Sequence, residues 1–255
     1  GFNMNNTSLK TRMNTKVQAM EAAPPEDLWN PSDSGYLALS SNALDLIKEN
    51  LKQQSLSFQL FDLVKSPSGG STVFSVPGLS GEEAEKELTG IILDYMTPRA
   101  YWATPDPVEG TPPTCLSKDS LISQDGKACA HCPFNDFGSK DGESPAKACK
   151  ESVLLFLLRP GSVFPLLVRV PVTSKKIFLK YTTRLISRMT PLSSVVTKIT
   201  LEKSTSREGK PYALFHFDAV QILDQETAAK AREFGKQFME FVNAADVEPV
   251  FTQAS

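Results

Sequence analysis

Between positions 91 and 221 the apolar residues recur mostly at a spacing of two, broken once by a stretch at three and four. "IILDYMTPRAYWA" (Ile91 to Ala103) is rich in β-formers, with Pro98 marking a bulge or bend. "SVLLFLLR" and "SVFPLLVRVP" read as two strands separated by a Pro160-Gly161 turn. Residues 173–188 then change period. Thr173 or Ser174 caps a helix whose inner face carries Ile177, Tyr181 and Leu185. Two more strands, 194–203 and 211–221, flank the polar loop "STSREGK", and a helix over 224–242 follows. In "PYALFHFDAV", Tyr212, Leu214, His216 and Asp218 point one way, and Ala213, Phe215, Phe217 and Ala219 the other. Phe215 and Phe217 then belong to the core, leaving Tyr212 and His216 as surface candidates.

Five strands with a helix between the third and fourth is the order of an OB-fold barrel. The fold class expected is therefore α+β, mainly β: an OB-fold-like five-stranded barrel with a loop insertion over 104–150 and a C-terminal helix. In such a barrel the first-second and fourth-fifth strand loops flank the binding face. Those are the insertion and "STSREGK".

Upstream, Ser41 caps a helix carrying Leu44, Ile47 and Leu51. Leu56, Phe58 and Leu60 alternate like a strand, Pro67, Gly69 and Gly70 turn the chain, and "STVFSVPG" returns as a strand. "GEEAEKELTG" reads as an acidic helical turn. Residues 1–34 are polar and Asn-rich, the composition of a disordered tail. The division expected is a tail over 1–34, the barrel domain over 35–223, a helix over 224–243 and a flexible end over 244–255.

At 255 residues and 40% hydrophobic content the chain can bury a sizeable core. No apolar run reaches membrane-span length, and no apolar stretch follows Lys10, Arg12 and Lys16 as in a secretory signal. The expectation is a cytoplasmic protein in a reducing compartment.

The stretch 104–148 has almost no periodicity yet holds six prolines and three of the four cysteines, and Cys149 closes it. A loop this long needs something to hold it. Cys115, Cys129, Cys132 and Cys149 supply a CxxC turn plus one flanking thiol on each side, the composition of a four-thiolate structural zinc site. His131 lies inside the pair and could replace one cysteine. Two disulfides use the same even count, but a reducing compartment disfavours them. A redox pair lacks its preceding strand, and a zinc deaminase lacks its H-x-E and P-C-x-x-C motifs. With four protein ligands the ion would have no open position for catalysis.

Net charge is −2, but it is unevenly spread. From Arg169 to Lys210 ten cations face only Glu202 and Glu208, giving that segment +8 and leaving −10 for the rest. One basic face on a barrel fits a polyanion. Aromatic residues lie among the cations, the combination by which single strands are held: rings stack bases while cations follow phosphates. The binding residues expected are Tyr101, Trp102, Phe134, Phe137, Lys140, Arg169, Lys175, Lys176, Lys180, Tyr181, Lys198, Lys210 and Tyr212. A solvated helix face accounts for Lys176 and Lys180 equally well.

The segments "TCLSKDS", "DGKACAHCPFNDFGS", "VPVTSKKIFLKYTTRL" and "VVTKITLEKSTSREGKPYALFHF" resemble proteins of bacteriophages and mobile elements, over about residues 36–221. The layout is also similar to the zinc-containing single-stranded DNA-binding proteins of T-even phages, an OB-fold with a metal subdomain. The resemblance implies sequence-nonspecific binding of single-stranded DNA in replication or recombination. It implies a zinc role for Cys115, Cys129, Cys132 and Cys149, and contacts with replication or recombination proteins. The chain departs from the T-even pattern in offering four cysteines where that site includes a histidine. Its end, "NAADVEPVFTQAS", carries only Asp246 and Glu248.

The function expected is thus a non-enzymatic single-strand binder. The alternative is a zinc-stabilised protein-interaction module, an adaptor or inhibitor. An enzyme is disfavoured: there is no carboxylate cluster at metal spacing, no phosphate loop, and no His paired with a nucleophile.

Overall fold

The computed structural model describes residues 35–40, 42–51, 57–140, 144–243 and 245–252. The expected tail over 1–34 lies outside them. The chain opens with two short helices, α1 (Leu37–Ser40) and α2 (Ala43–Leu51), then β1 (Leu63–Val64). A hairpin follows, β2 (Phe74–Gly78) and β3 (Gly81–Glu85), and then the long strand β4 (Glu87–Met96). Short strands β5 (Arg99–Tyr101) and β6 (Cys115–Ser117) lead into the cysteine stretch. Beyond it come β7 (Lys150–Leu158), β8 (Leu166–Pro171), α3 (Lys175–Ile186), β9 (Val195–Thr205) and β10 (Pro211–Ile222). Helices α4 (Gln225–Val242) and α5 (Glu248–Thr252) complete the described chain.

The architecture is mixed α+β, built on a curled, half-barrel sheet of six strands in the order β1-β8-β7-β4-β9-β10. Strand β4 is shared by the two halves. Glu87 to Gly90 pair with β9, and Ile91 to Met96 pair with β7. Gly90 sits where β4 changes partner, and a Cβ there would stand 2.3 Å from the Leu158 carbonyl oxygen. A register shift between Ile92 and Asp94 adds a bulge just beyond. A missing side chain and a bulge are how one strand bends enough to serve two sheet halves.

The sheet is covered on both faces, which explains the unbroken apolar run of β7. Val153, Leu155 and Leu157 face a core with Ile92, Phe178 and Phe217 beneath α3. Leu154, Phe156 and Leu158 face a second core with Phe58, Phe61 and Phe238 beneath α4. Phe215 and Phe217 are both buried, as their alternation predicts.

Segment 63–78 does work the sequence did not disclose. β1 pairs in parallel with the outer edge of β8. A few residues on, Gly70 packs against Lys203 and Pro211, and the Phe74 ring meets Phe215 on β10 edge-on at 5.7 Å. The segment thus fills the gap between the two outer strands of the half-barrel.

Several local readings change. Phe58–Leu60 is a 3-10 turn capped by Ser57, not a strand. "GEEAE" is the strand β3, every residue of it exposed. Gly78 and Gly81 at the tip, with φ +119° at Gly81, favour a tight hairpin over the helix that glutamates otherwise prefer. Ser174 stands at the N-cap of α3, but its hydroxyl accepts from the Phe215 amide on β10 at 2.9 Å instead of capping. Part of the end expected to be flexible forms α5, with Val250 and Phe251 buried. Among the described residues no helix is long and apolar enough to cross a membrane.

Candidate nucleic-acid groove and cysteine centre

The stretch between β6 and β7 folds by short 3-10 turns and hydrogen bonds rather than by a core of its own. The Cys129 amide donates to Leu121 O at 2.9 Å, and the Cys149 amide to Phe134 O at 2.9 Å. Asn135 Nδ2 donates to Cys129 O at 2.9 Å. Lys118 fastens the stretch to the body: its ammonium donates to the carbonyls of Val242 (3.4 Å), Asn243 and Ala245 (2.8 Å) at the end of α4.

All four thiols are unbridged, and all four line one cavity of about 520 Å³. Neither of the two disulfides weighed against a metal site is present in this structure. Among the described residues no three Cys, His, Asp or Glu groups stand close enough together to hold an ion. The side chains would have to draw inward to share one. Burial raises the Cys149 thiol to about 11, against the pull of nearby Arg99. Burial, then the Asp125 charge, also raises Cys115. His131 and Asp125 line the same cavity. So does Arg99, which is 6% exposed and whose Nε and Nη1 have no hydrogen-bond partner among the described residues. A soft four-sulfur donor set beside a buried cation is chemically suited to a divalent metal carrying four thiolates, a centre of net negative charge.

A second hollow, about 640 Å³, lies between the cysteine stretch and the strands β7 and β8. Lys65, Lys140, Lys147, Lys150 and Arg169 line it, with Glu151 as the one anion on its wall among the described residues. Burial lowers Lys65, and the Arg169 charge pushes it further the same way. Burial also lowers Lys150, with Lys140 and Arg169 adding to it. Arg169 is itself lowered by burial. Glu109 and Asp106 oppose these effects on the two lysines without reversing them. Lysines whose charge is disfavoured by burial, and further by neighbouring cations, form a site that an anion would relieve. Phe137 stands at the lip, 83% exposed, with the Lys147 ammonium 4.6 Å from its ring centre.

Only part of the predicted binding set meets here. Phe137, Lys140 and Arg169 line the groove. Lys175 is beside it, its ammonium paired with Glu151. Tyr101 and Phe134 are stacked on each other over the cysteine cavity, centroids 4.1 Å apart. Trp102 serves the fold: its Nε1 donates to Thr111 O at 2.9 Å, and its ring packs on Phe251. Tyr181 is buried, hydrogen-bonded to Thr197 at 2.8 Å and stacked with Phe217, so it offers no ring to a ligand. Lys176 and Lys180 are exposed on α3, and Lys210 in the β9-β10 hairpin. Lys198 and Tyr212 lie on the outer face of that hairpin, opposite Asp218 and Ser204. None of these five lines the groove.

Lys65, Lys147 and Lys150 were missed. Lys147 and Lys150 flank Cys149 in "KACKES", a signal available in the sequence. Nothing local marks Lys65, which the β1–β8 pairing brings in from about a hundred residues away. Comparison with protein families, curated proteins and solved structures finds no match to this chain.

Proposed function

We propose that the protein binds single-stranded DNA, without catalysis, along the groove between the cysteine stretch and strands β7 and β8. The observation that carries this reading is the gathering of five cations around one hollow with an exposed phenylalanine at its lip. Partly desolvated cations hold phosphates, and an open ring stacks a base of any sequence.

The strand order supports an OB-fold as the scaffold. The first barrel strand, β4, lies between the second, β7, and the fourth, β9; the third and fifth, β8 and β10, lie outside them. Helix α3 connects third to fourth. The groove adjoins the second and third strands and the first-second loop, where that fold holds oligonucleotides. The phosphate-binding face therefore comprises Lys65, Lys140, Lys147, Lys150 and Arg169, with Lys198, Lys210 and Tyr212 as contacts for a longer strand beyond it.

Cys115, Cys129, Cys132 and Cys149 would hold a structural zinc ion, which cross-links a stretch that lacks its own core. The likeness to phage-borne zinc-containing single-strand binders agrees with this combination, and replication or recombination proteins are the partners it implies.

The test is a titration of the zinc-loaded chain with fluorescent oligo-dT and with duplex of equal length. The expected result is preference for the single strand and affinity that falls steeply with salt. Equal or absent binding to both would overturn the reading in favour of a protein-interaction module.

A further inference from the structure

We infer that Arg99 is the counter-charge and N–H donor of the thiolate centre, a positioning residue for the metal; this rests on the zinc reading above. Arg99 comes from β5, and its side chain is 7% exposed. Nη2 donates to Glu151 Oε2 at 3.1 Å. Nε and Nη1 have no hydrogen-bond partner among the described residues, and Arg99 lines the cavity that the four cysteines line. A guanidinium is fully charged at any physiological pH and costly to bury with donors unmet.

Its carboxylate partner among the described residues does not balance it. Glu151 is shared with Lys175, so two cations answer to one anion. Asp125, a carboxylate on the cavity wall, is 3.2 Å from Lys127, which lines the cavity too, and takes the Ser123 hydroxyl. His131 lines the cavity as well. A surplus positive charge with two idle donor nitrogens thus borders a set of four thiols. Four thiolates around a divalent ion carry net charge −2, and sulfur accepts N–H donors. The two deficits cancel: the thiolates satisfy Nε and Nη1, and Arg99 neutralises part of the centre. Groups that hold metal ligands in this way tune affinity strongly.

Arg99→Lys and Arg99→Met, made in the full chain, test this. Zinc affinity is read by competition with a chromophoric chelator, and the thiolate environment by the sulfur-to-metal absorption of the cobalt-loaded protein. Folding is checked by circular dichroism in excess zinc. Loss of roughly 10- to 100-fold in zinc affinity is expected for Arg99→Met. Arg99→Lys keeps the charge but not the paired donors. It is expected to move the cobalt–thiolate band to longer wavelength, because sulfur lone pairs rise in energy when an N–H donor is lost. Wild-type protein that binds neither zinc nor cobalt overturns the zinc reading and this inference with it. Wild-type protein that binds one ion, with both variants matching it in affinity and spectrum, overturns the role of Arg99 alone. If Arg99→Met does not fold, Arg99→Lys decides by its spectrum.

Discussion

Tyr101 and Phe134 lie face to face, ring centroids 4.1 Å apart and planes 13° from parallel. One ring comes from β5 and the other from the turn after Cys132, so the pair clamps the cysteine stretch to the sheet. Both rings had been expected to stack bases, but each already has a partner. Phe134→Ala is expected to lower stability by about 1–3 kcal/mol, from lost burial plus the ring pair. A double-mutant cycle with Tyr101→Ala, followed by thermal melting, should return a coupling of about 1 kcal/mol. A coupling near zero would leave the clamp without energetic content.

Phe137 contrasts with that pair, since almost all of its ring is open to solvent. Phe137→Ala should leave the melting temperature unchanged and weaken oligo-dT binding by about 5- to 150-fold, the value of one stacked base. Fluorescence titration beside a melting curve separates the two effects.

In the free protein Lys140 and Arg169 add to the burial that disfavours the charge on Lys150. Neutralising Lys140 or Lys150 with Gln should therefore leave the free protein as stable or slightly more so. Each change should reduce the slope of log affinity against log salt by about 0.7, one single-strand phosphate contact. Titrations at four salt concentrations measure it. Lys176→Gln on α3, outside the groove, should change the slope less.

Helix α4 has no basic residue in its last turn, and Lys118 from the cysteine stretch supplies that charge from outside. Lys118→Met is expected to cost about 1.5–3 kcal/mol, the range for charge-assisted hydrogen bonds. Hydrogen exchange should show the loss first in the last turn of α4.

Gly90→Ala would drive a methyl group into the Leu158 carbonyl. Strand backbone on both sides prevents an easy retreat, so the variant should unfold at a markedly lower denaturant concentration. Gly126→Ala, in open space on a loop but at positive φ, should cost only about 1 kcal/mol.

Strands β7 to β10, helix α3 and the Ile91–Met96 part of β4 were legible because period-two runs and one period-three-and-four stretch sit in an ordered series, bounded by Pro and Gly; Glu87–Gly90, read as helical, and β6, inside the non-periodic stretch, were not. The core identity of Phe215 and Phe217 followed from alternation alone. Burial of Tyr181 did not: its place on the inner stripe of α3 argued for the core, while its company of lysines argued for a binding face. Inner position prevailed, and its hydroxyl found Thr197. The groove was half legible. Its cations come from three separate stretches, 65, 140–150 and 169, and only strand pairing brings them together. Arg99 was invisible as a functional residue because a single arginine after a proline in a strand carries no pattern.

The short strand β1 carries a consequence for how this chain reaches its native form. Leu63 meets Leu167 across about a hundred intervening residues, a long-range contact whose closure entropy makes that seam slow to form. Until then the outer margins of β8 and β10 are bare, ready templates for a stray strand of another molecule. Removing residues 57–78 should therefore yield a protein that clumps during refolding before it loses its secondary structure.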